Sequence, residues 1–299
     1  MINWEKKGLI FKPDKSLFWS KTHAMIPTPI RLNKSEIKVF YSGRDELNRS
    51  HIGYVTFDLD KNFQITEKSL LPILSPGELG CFDDNGVTPS CALKIENRIF
   101  LYYIGWNPGS TVRMHLFGGL AISEDGGETF NRWSRAPIIE RSITDPYLNT
   151  APFVVKGKHE YRMYYVSGYE WVHRDLPRYN IKTATSSDGI NWKREGKVCI
   201  DFKDSNENAL ARPFVIYDEG IWKMWFGYKQ NCYRIGYAES IDGEDWVRKD
   251  DQANINISKS GFDTEMIEYA SVVKHKGKYI MFYNGNNYGF DGIGLAVSG

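Results

Sequence analysis

Acidic side chains recur along this chain just upstream of apolar segments, most of which are headed by proline. The clearest are Asp84, Glu207 and Glu268. A carboxyl group that keeps its proton can act as a general acid, and an ionised carboxylate on the other side of a substrate can act as a base or nucleophile. Two such groups facing each other across a cavity are what cleavage of a glycosidic bond requires. These three are the candidate catalytic residues, with Glu207 as proton donor and Asp84 or Glu268 as base or pKa modulator.

Aromatic, amide and basic residues occupy comparable positions near the same segments. Flat rings stack on the C–H faces of sugars, and polar groups bind sugar hydroxyls, so the combination favours a carbohydrate site. A structural alternative stays open for each residue, because a basic group can form an ion pair and a tryptophan can pack in the core. The candidate substrate-binding residues are His23, Arg44, Asn85, Trp106, Asn149, Trp171, Arg212, Tyr269 and Asn287.

A repeated pattern of short strands must position these residues. An aromatic strand that ends at or near glycine occurs five times, and a further strand follows each copy. Alternating short strands without a helical window, repeated at intervals of roughly 45 to 65 residues, are typical of a β-propeller with one four-stranded blade per repeat. The five aromatic strands end at Gly43, Gly105, Gly168, Gly227 and Gly285.

Polar turns with the sequence Asp-Gly mark the outer part of three repeats, at 123–130, 186–192 and 240–246. Asp and Gly suit tight turns, since Asp bonds its own backbone and Gly accepts positive φ. We interpret these turns as scaffold. In a blade whose chain runs up and down four times, they lie on the face opposite the starts of the first strands, so a functional site is expected on the other face.

The chain ends inside its fifth repeat, and residues 3–10 resemble the outer-strand segment 191–198. We therefore predict an all-β, five-bladed β-propeller in which the N-terminal strand completes the last blade and closes the ring, which removes exposed strand edges. The predicted single domain spans 1–299, with blades at about 24–67, 83–135, 145–200, 207–250 and 263–299 plus 1–12.

Composition narrows the function classes. The formal net charge of +1 and the mixing of acidic with basic residues argue against a nucleic-acid face or an anionic membrane as partner. No apolar run reaches the roughly 18 residues of a membrane span, and a secretion signal is not recognisable at the N-terminus. The four cysteines and six histidines lack ligand spacing. We expect a cytoplasmic protein without metal or other cofactor, whose partner is a small carbohydrate or oligosaccharide.

The repeats resemble the five-bladed β-propeller glycosidases, namely glycoside hydrolase families 43, 32 and 68 and the related family 130 of mannoside phosphorylases and hydrolases. The resemblance covers the whole chain and is carried by the Ser-x-Asp-Gly-x-x-Trp turns, by strand ends such as Tyr41-Ser42-Gly43, and by the Gly-Tyr-Ala-x-Ser strand at 236–240. It implies hydrolysis or phosphorolysis of a glycosidic linkage in a small glycan or sugar intermediate.

In such enzymes the fourth blade often carries a catalytic acid, and Glu207 falls at that place. The first blade departs from the pattern, because no carboxylate stands near His23–Pro27, where the resemblance implies one. Two functions therefore stay open: an enzyme that cleaves glycosides, and a non-catalytic sugar-binding propeller or a surface-glycan biosynthesis protein that has lost its acid–base pair. Two carboxyl groups facing each other at roughly 5 to 10 Å would favour the enzyme.

Overall fold

The structure, a computed structural model, describes residues 2–299 and is built almost entirely of β-strands. The all-β prediction is confirmed. Successive antiparallel hairpins form five units, each with an inner strand that begins the unit and a short outer strand that ends it. The strands of the first three units are β2 (Thr22–Arg31), β3 (Glu36–Arg44), β4 (Ser50–Asp58), β5 (Gln64–Lys68), β6 (Gly86–Ile95), β7 (Arg98–Pro108), β8 (Met114–Ser123), β9 (Asn131–Arg132), β10 (Asn149–Lys156), β11 (Tyr161–His173), β12 (Leu176–Ser186) and β13 (Val198–Ile200).

The last two units follow the same order, except that the outer strand of the fifth comes from the start of the chain. Their strands are β14 (Ala209–Asp218), β15 (Ile221–Lys229), β16 (Tyr233–Ser240), β17 (Val247–Arg248), β18 (Glu268–His275), β19 (Lys278–Asn284), β20 (Ile293–Ser298) and β1 (Trp4–Phe11). The only helical segments in the described part are a 3₁₀ turn at Asp250–Gln252 and the four-residue α1 (Asn286–Gly289). No helix there is long and apolar enough to cross a membrane.

The N-terminal strand pairs antiparallel with the last strand of the sequence, from Trp4 opposite Ser298 to Phe11 opposite Ile293. The resulting sheet has the order β1-β20-β19-β18. The other four units are joined into one extended sheet, in which neighbouring units share a single parallel pair such as Ser50 with Gly86. The inner strands β2, β6, β10, β14 and β18 each contact the next in this order, and β18 contacts β2.

The glycine that ends the second strand is needed because the segment leading to the inner strand crosses directly over it. A Cβ on Gly105 would lie 2.4 Å from the ring of Phe82, and one on Gly285 would lie 2.2 Å from the carbonyl oxygen of Phe262. Either distance is well inside van der Waals contact. In four of the five units the glycine therefore marks a close crossing of the backbone, whereas a Cβ on Gly227 of the fourth unit would come no nearer than 3.3 Å to another residue.

The Asp-Gly turns connect neighbouring units. In the third unit Asp188 Oδ1 accepts the N–H groups of Ile190 and Asn191, both at 2.8 Å, while Gly189 takes a φ of 76°. The hydroxyl of Tyr102, which belongs to the second unit, donates to the Gly189 carbonyl at 2.9 Å. These polar groups of the turn thus have structural partners, as expected for scaffold.

Candidate functional site

A cavity of about 500 Å³ lies where the inner strands begin, on the face opposite the Asp-Gly turns. Four of its lining residues, one from each of four inner strands, have positive φ at a β-bulge just before proline or alanine: Ile26, Ala151, Arg212 and Tyr269. A left-handed non-glycine residue costs on the order of 1–3 kcal/mol and persists only where the surrounding packing holds it. The same strained backbone conformation occurs at the same place in four units. The packing of the fold therefore holds the cavity wall in this shape.

Two hairpins extend the wall of the cavity beyond the point where the repeat pattern ends. Strands β7 and β11 continue past Gly105 and Gly168, and the hairpin tips meet where the Arg113 N–H donates to the carbonyl of Arg174 at 3.0 Å. These tips bring Arg113 and Asp175 to the cavity. Sequence reasoning missed both, although the alternating residues that follow Gly168 were a signal that the strand runs on.

The lining combines aromatic rings, amides and cations with apolar side chains. The rings of Tyr179 and Tyr233 are joined by a hydroxyl–hydroxyl hydrogen bond of 2.5 Å, and burial raises the pKa of Tyr179 to about 12, so the hydroxyls remain protonated donors. This is a set of groups suited to sugar faces and hydroxyls. The aromatic and amide residues of the lining are Trp106, Tyr179, Tyr233, Tyr269, Tyr288, Asn85, Asn107 and Asn208.

Five of the nine predicted substrate-binding residues line this cavity. They come from four units, and the structure brings them together at one place, as their positions at strand starts and hairpin loops predicted. Whether they bind a substrate stays a prediction. The five are Arg44, Asn85, Trp106, Arg212 and Tyr269.

The other four lie outside the lining. His23 bonds Thr22 Oγ1 at 2.8 Å, and burial, with the charge of Arg44, lowers its pKa to about 4, so it is neutral at pH 7. Asn149 is fully buried and donates to the carbonyls of Glu140 and Asp145. The remaining two are Trp171, which packs behind the cavity wall, and Asn287, which is exposed on α1.

Most carboxylates that precede the inner strands are bound within their own unit. Each is almost completely buried and meets a cation from the outer strand or the segment just before it, which ties the ends of the unit together. The pairs are Asp83 with Arg132 at 2.8 Å, Asp145 with Arg194 at 3.3 Å, Glu207 with Arg248 at 2.8 Å and Asp263 with Lys6 at 2.6 Å. The recurrence of these acids therefore has a structural explanation.

Two of the three predicted catalytic residues are engaged in structural contacts. Glu207 is 1% exposed, and its two oxygens accept from both terminal nitrogens of Arg248 and from the N–H of Lys203. Asp84 accepts from Asn107 Nδ2 and from the N–H of Gly80, each at 2.9 Å. Neither residue lines the cavity, and their catalytic roles remain untested predictions.

Glu268 differs from both. It is fully buried, and neither carboxyl oxygen has a hydrogen-bond partner within residues 2–299. Burial raises its pKa well above the ordinary range of a glutamate, against the opposing effects of the Lys229 charge and the Tyr269 hydroxyl, and so favours the protonated carboxyl. Tyr233 and Tyr269, whose pKa values the charge of Glu268 helps to raise, line the cavity, which places Glu268 behind its wall.

The buried carboxyl makes stability depend on pH. Folded Glu268 holds its proton more tightly than the unfolded chain does, so its contribution is complete below the unfolded pKa and is lost as pH rises towards the folded pKa. We expect that, as pH rises above the ordinary pKa range of a glutamate, the free energy of unfolding falls less steeply in Glu268→Gln than in the wild type. Urea unfolding at several pH values measures this, with the exposed Glu265→Gln as control. Parallel profiles for Glu268→Gln and the wild type would contradict the buried, protonated state.

The charges that face the cavity are mostly positive. Arg44, Arg113, Arg212 and Lys229 line it, and none of them has a salt bridge to a carboxylate in the part of the chain that the structure describes. Asp175 is the one carboxylate among the lining residues. Burial lowers the pKa of Arg212 to about 9 and also lowers that of Arg44. Over residues 2–299, no group of three or more His, Cys, Asp or Glu is placed to hold a metal ion.

Sequence relatives show the family of the chain, and solved structures show its fold. No family model matches the chain. The Mycobacterium tuberculosis (strain ATCC 25618 / H37Rv) protein described as uncharacterized protein Rv1502 is 39% identical over 295 residues, which are 98% of each of the two sequences. The chain belongs to the Rv1502 family. Uncharacterized protein MT1551 of strain CDC 1551 / Oshkosh is similar to the same degree, at 39% over 295 residues.

Solved structures resemble this Rv1502-family protein at lower identity. A complex of BT0996 with RGII has a TM-score of 0.75 at 19% identity, and the match covers 98% of this protein and 91% of that one. A glycosyl hydrolase from Bacteroides ovatus has a TM-score of 0.74 at 16%, with 99% and 93% covered. A thermostable family-43 glycoside hydrolase has 0.68 at 16%, with 92% and 89% covered. The predicted resemblance to propeller glycosidases is confirmed for the fold.

Proposed function

We propose that this protein is carbohydrate-active: it binds a small glycan or sugar intermediate in the cavity and acts on a glycosidic linkage there. The observation that carries the proposal is the lining itself, in which Trp106 and four tyrosines stand beside three asparagine amides. Aromatic faces and amides in one concavity of this size are the groups that sugar recognition uses. The glycoside hydrolase neighbours, and the neighbour in complex with RGII, support the same substrate class.

The predicted ring geometry is part of this proposal. Five blades would surround one channel, with β1 closing the last blade, in a single domain with the boundaries given above. Support comes from the pairing of β1 with β20 and from contacts between the fifth and first units, where Asn284 Oδ1 accepts from the Ile26 N–H at 2.8 Å. In such a ring the cavity occupies the channel mouth.

For cleavage, Glu268 is the proton donor that the geometry favours among the three predicted acids. A general acid must carry its proton when the substrate binds, and burial, which raises the pKa of Glu268, favours that state. Its carboxyl is covered by the wall, so the sugar or a movement of Tyr233 and Tyr269 would have to expose it. Asp175 is the lining carboxylate that could serve as its partner.

Binding without cleavage is the second candidate, and one specific observation favours it. The lining contains a single carboxylate, whereas hydrolysis with a carboxylate base or nucleophile needs an opposed pair. Phosphorolysis would relax this requirement, because phosphate itself attacks the anomeric carbon.

A panel assay tests the proposal. The protein is incubated with aryl glycosides and oligosaccharides, with and without phosphate, and released sugar or sugar phosphate is measured. We expect turnover of at least one substrate, and a loss of about 10²-fold or more in Glu268→Gln with binding preserved. Glu265→Gln, an exposed neighbour, is the matched control. Full activity in Glu268→Gln would remove it as donor, and binding without turnover across the panel would favour the second candidate.

A further inference from the structure

Arg212 is a buried cation without a counter-charge. Its side chain is 2% exposed and donates to neutral acceptors only: the carbonyls of Ala270, Pro27 and Ser90 and the hydroxyls of Ser271 and Thr28. Its Nε–H has no acceptor within residues 2–299. A buried guanidinium without an anionic partner is costly, and natural proteins normally supply one. The residue lines the cavity, so an occupant of the cavity can supply it.

Three more cations share the same cavity. Arg44 bonds only neutral groups, Asn48 Oδ1 and the sulfur of Met25, and Lys229 lies over the ring of Tyr233 at 5.4 Å. The side chain of Arg113, at its hairpin tip, has no ion-pair partner within the described residues. Among the described residues, Asp175 is the only acidic residue that lines the cavity with these four charges, and Glu268 behind the wall interacts with Lys229. Because the whole chain carries only +1, the excess is local to this site.

We propose that the cavity recognises a sugar through an anionic substituent, a phosphate ester or a carboxylate, which the four unpaired cations bind. Guanidinium groups bind both substituents through paired, charge-assisted hydrogen bonds. The inference rests on the proposed carbohydrate function and narrows its substrate class to acidic sugars.

Calorimetric titration with matched sugars tests the inference. Glucose, mannose and galactose are each compared with their 6-phosphate and their uronate, and inorganic phosphate is titrated alone. We expect at least one acidic sugar to bind about tenfold or more tightly than its neutral counterpart, and 0.5 M NaCl to weaken that binding. Whichever of the 6-phosphate and the uronate binds more tightly identifies the anionic substituent that the cavity recognises.

Variants of the cavity cations provide the control for charge. Arg113→Gln and Lys229→Gln, which break no protein hydrogen bond of their side chains, should each weaken acidic-sugar binding about tenfold more than they weaken binding of the neutral sugar. The exposed Lys94→Gln, which lies outside the cavity lining, should change neither.

Three outcomes separate the two proposals. If no acidic sugar binds more tightly than its neutral counterpart, including the case in which none binds, the anionic inference is overturned. If neutral sugars bind well, the carbohydrate function survives that failure. If inorganic phosphate binds as tightly as every sugar phosphate and no neutral sugar binds, the cationic site stands and the carbohydrate function fails.

Discussion

Replacing Arg212 by methionine is expected to lower the free energy of unfolding by roughly 3–5 kcal/mol. Arg212 belongs to the fourth unit, yet its guanidinium bonds carbonyl and hydroxyl groups of the first, second and fifth units. Methionine fills similar volume but leaves these buried acceptors without a donor, and each such loss costs about 1–3 kcal/mol. The relief of burying an unpaired charge offsets part of that cost.

Urea unfolding measures the effect, and Arg113→Met is the matched control. Arg113 lines the same cavity without a side-chain ion pair among the described residues, so its replacement should change stability by less than about 0.5 kcal/mol. If Arg212→Met were as stable as the wild type, the guanidinium would not be the contact that holds the inner strands together, and only a ligand-binding role would remain for it.

Substitution of Glu207 is expected to act on stability before activity. Glu207→Gln and Arg248→Met should each lower the free energy of unfolding by roughly 3–5 kcal/mol, because each leaves one member of a buried, bidentate pair without its partner. The double substitution should be less damaging than the sum of the two. A double-mutant cycle by urea unfolding measures the coupling.

The same variants decide between the two roles of Glu207. If the role of Glu207 is the ion pair with Arg248 that ties the ends of its unit together, the folded fraction of Glu207→Gln retains the ligand affinity of the wild type. If Glu207→Gln instead kept full stability and lost only turnover, Glu207 would be the proton donor that the sequence predicts.

The repeats, the strands and the scaffold role of the turns could be predicted from sequence because their causes are local. Turn chemistry lies within a few residues, as at Asp188, and alternation marks each strand. The place of the cavity followed from topology, since residues at strand starts and hairpin loops must share one face. Trp106 and Arg212 reach the cavity for this reason.

The roles of the carboxylates could not be predicted because their partners are distant in sequence. Asp83 and Arg132 are 49 residues apart, and Glu207 and Arg248 are 41 apart. A signal did exist: a cation stands two residues after the turn aromatic in three units and after Trp4. The corresponding positions are Arg132, Arg194, Arg248 and Lys6.

That the cavity cations lack ion-pair partners could not be predicted from the sequence either. Arg113 lies at the tip of a hairpin that is longer than the shared repeat, so no copy-to-copy comparison points to it. The absence of a counter-ion beside Arg212 among residues 2–299 is a property of the packed structure, and no local pattern carries it.

A crystal structure with the tightest-binding sugar of the panel tests the central claim most directly. We predict the sugar in the cavity beside Trp106 and Tyr269, with its anionic group towards Arg212 and Lys229. A sugar bound on the face that carries the Asp-Gly turns, or a cavity left unoccupied at saturating sugar, would contradict the assignment of function to this site.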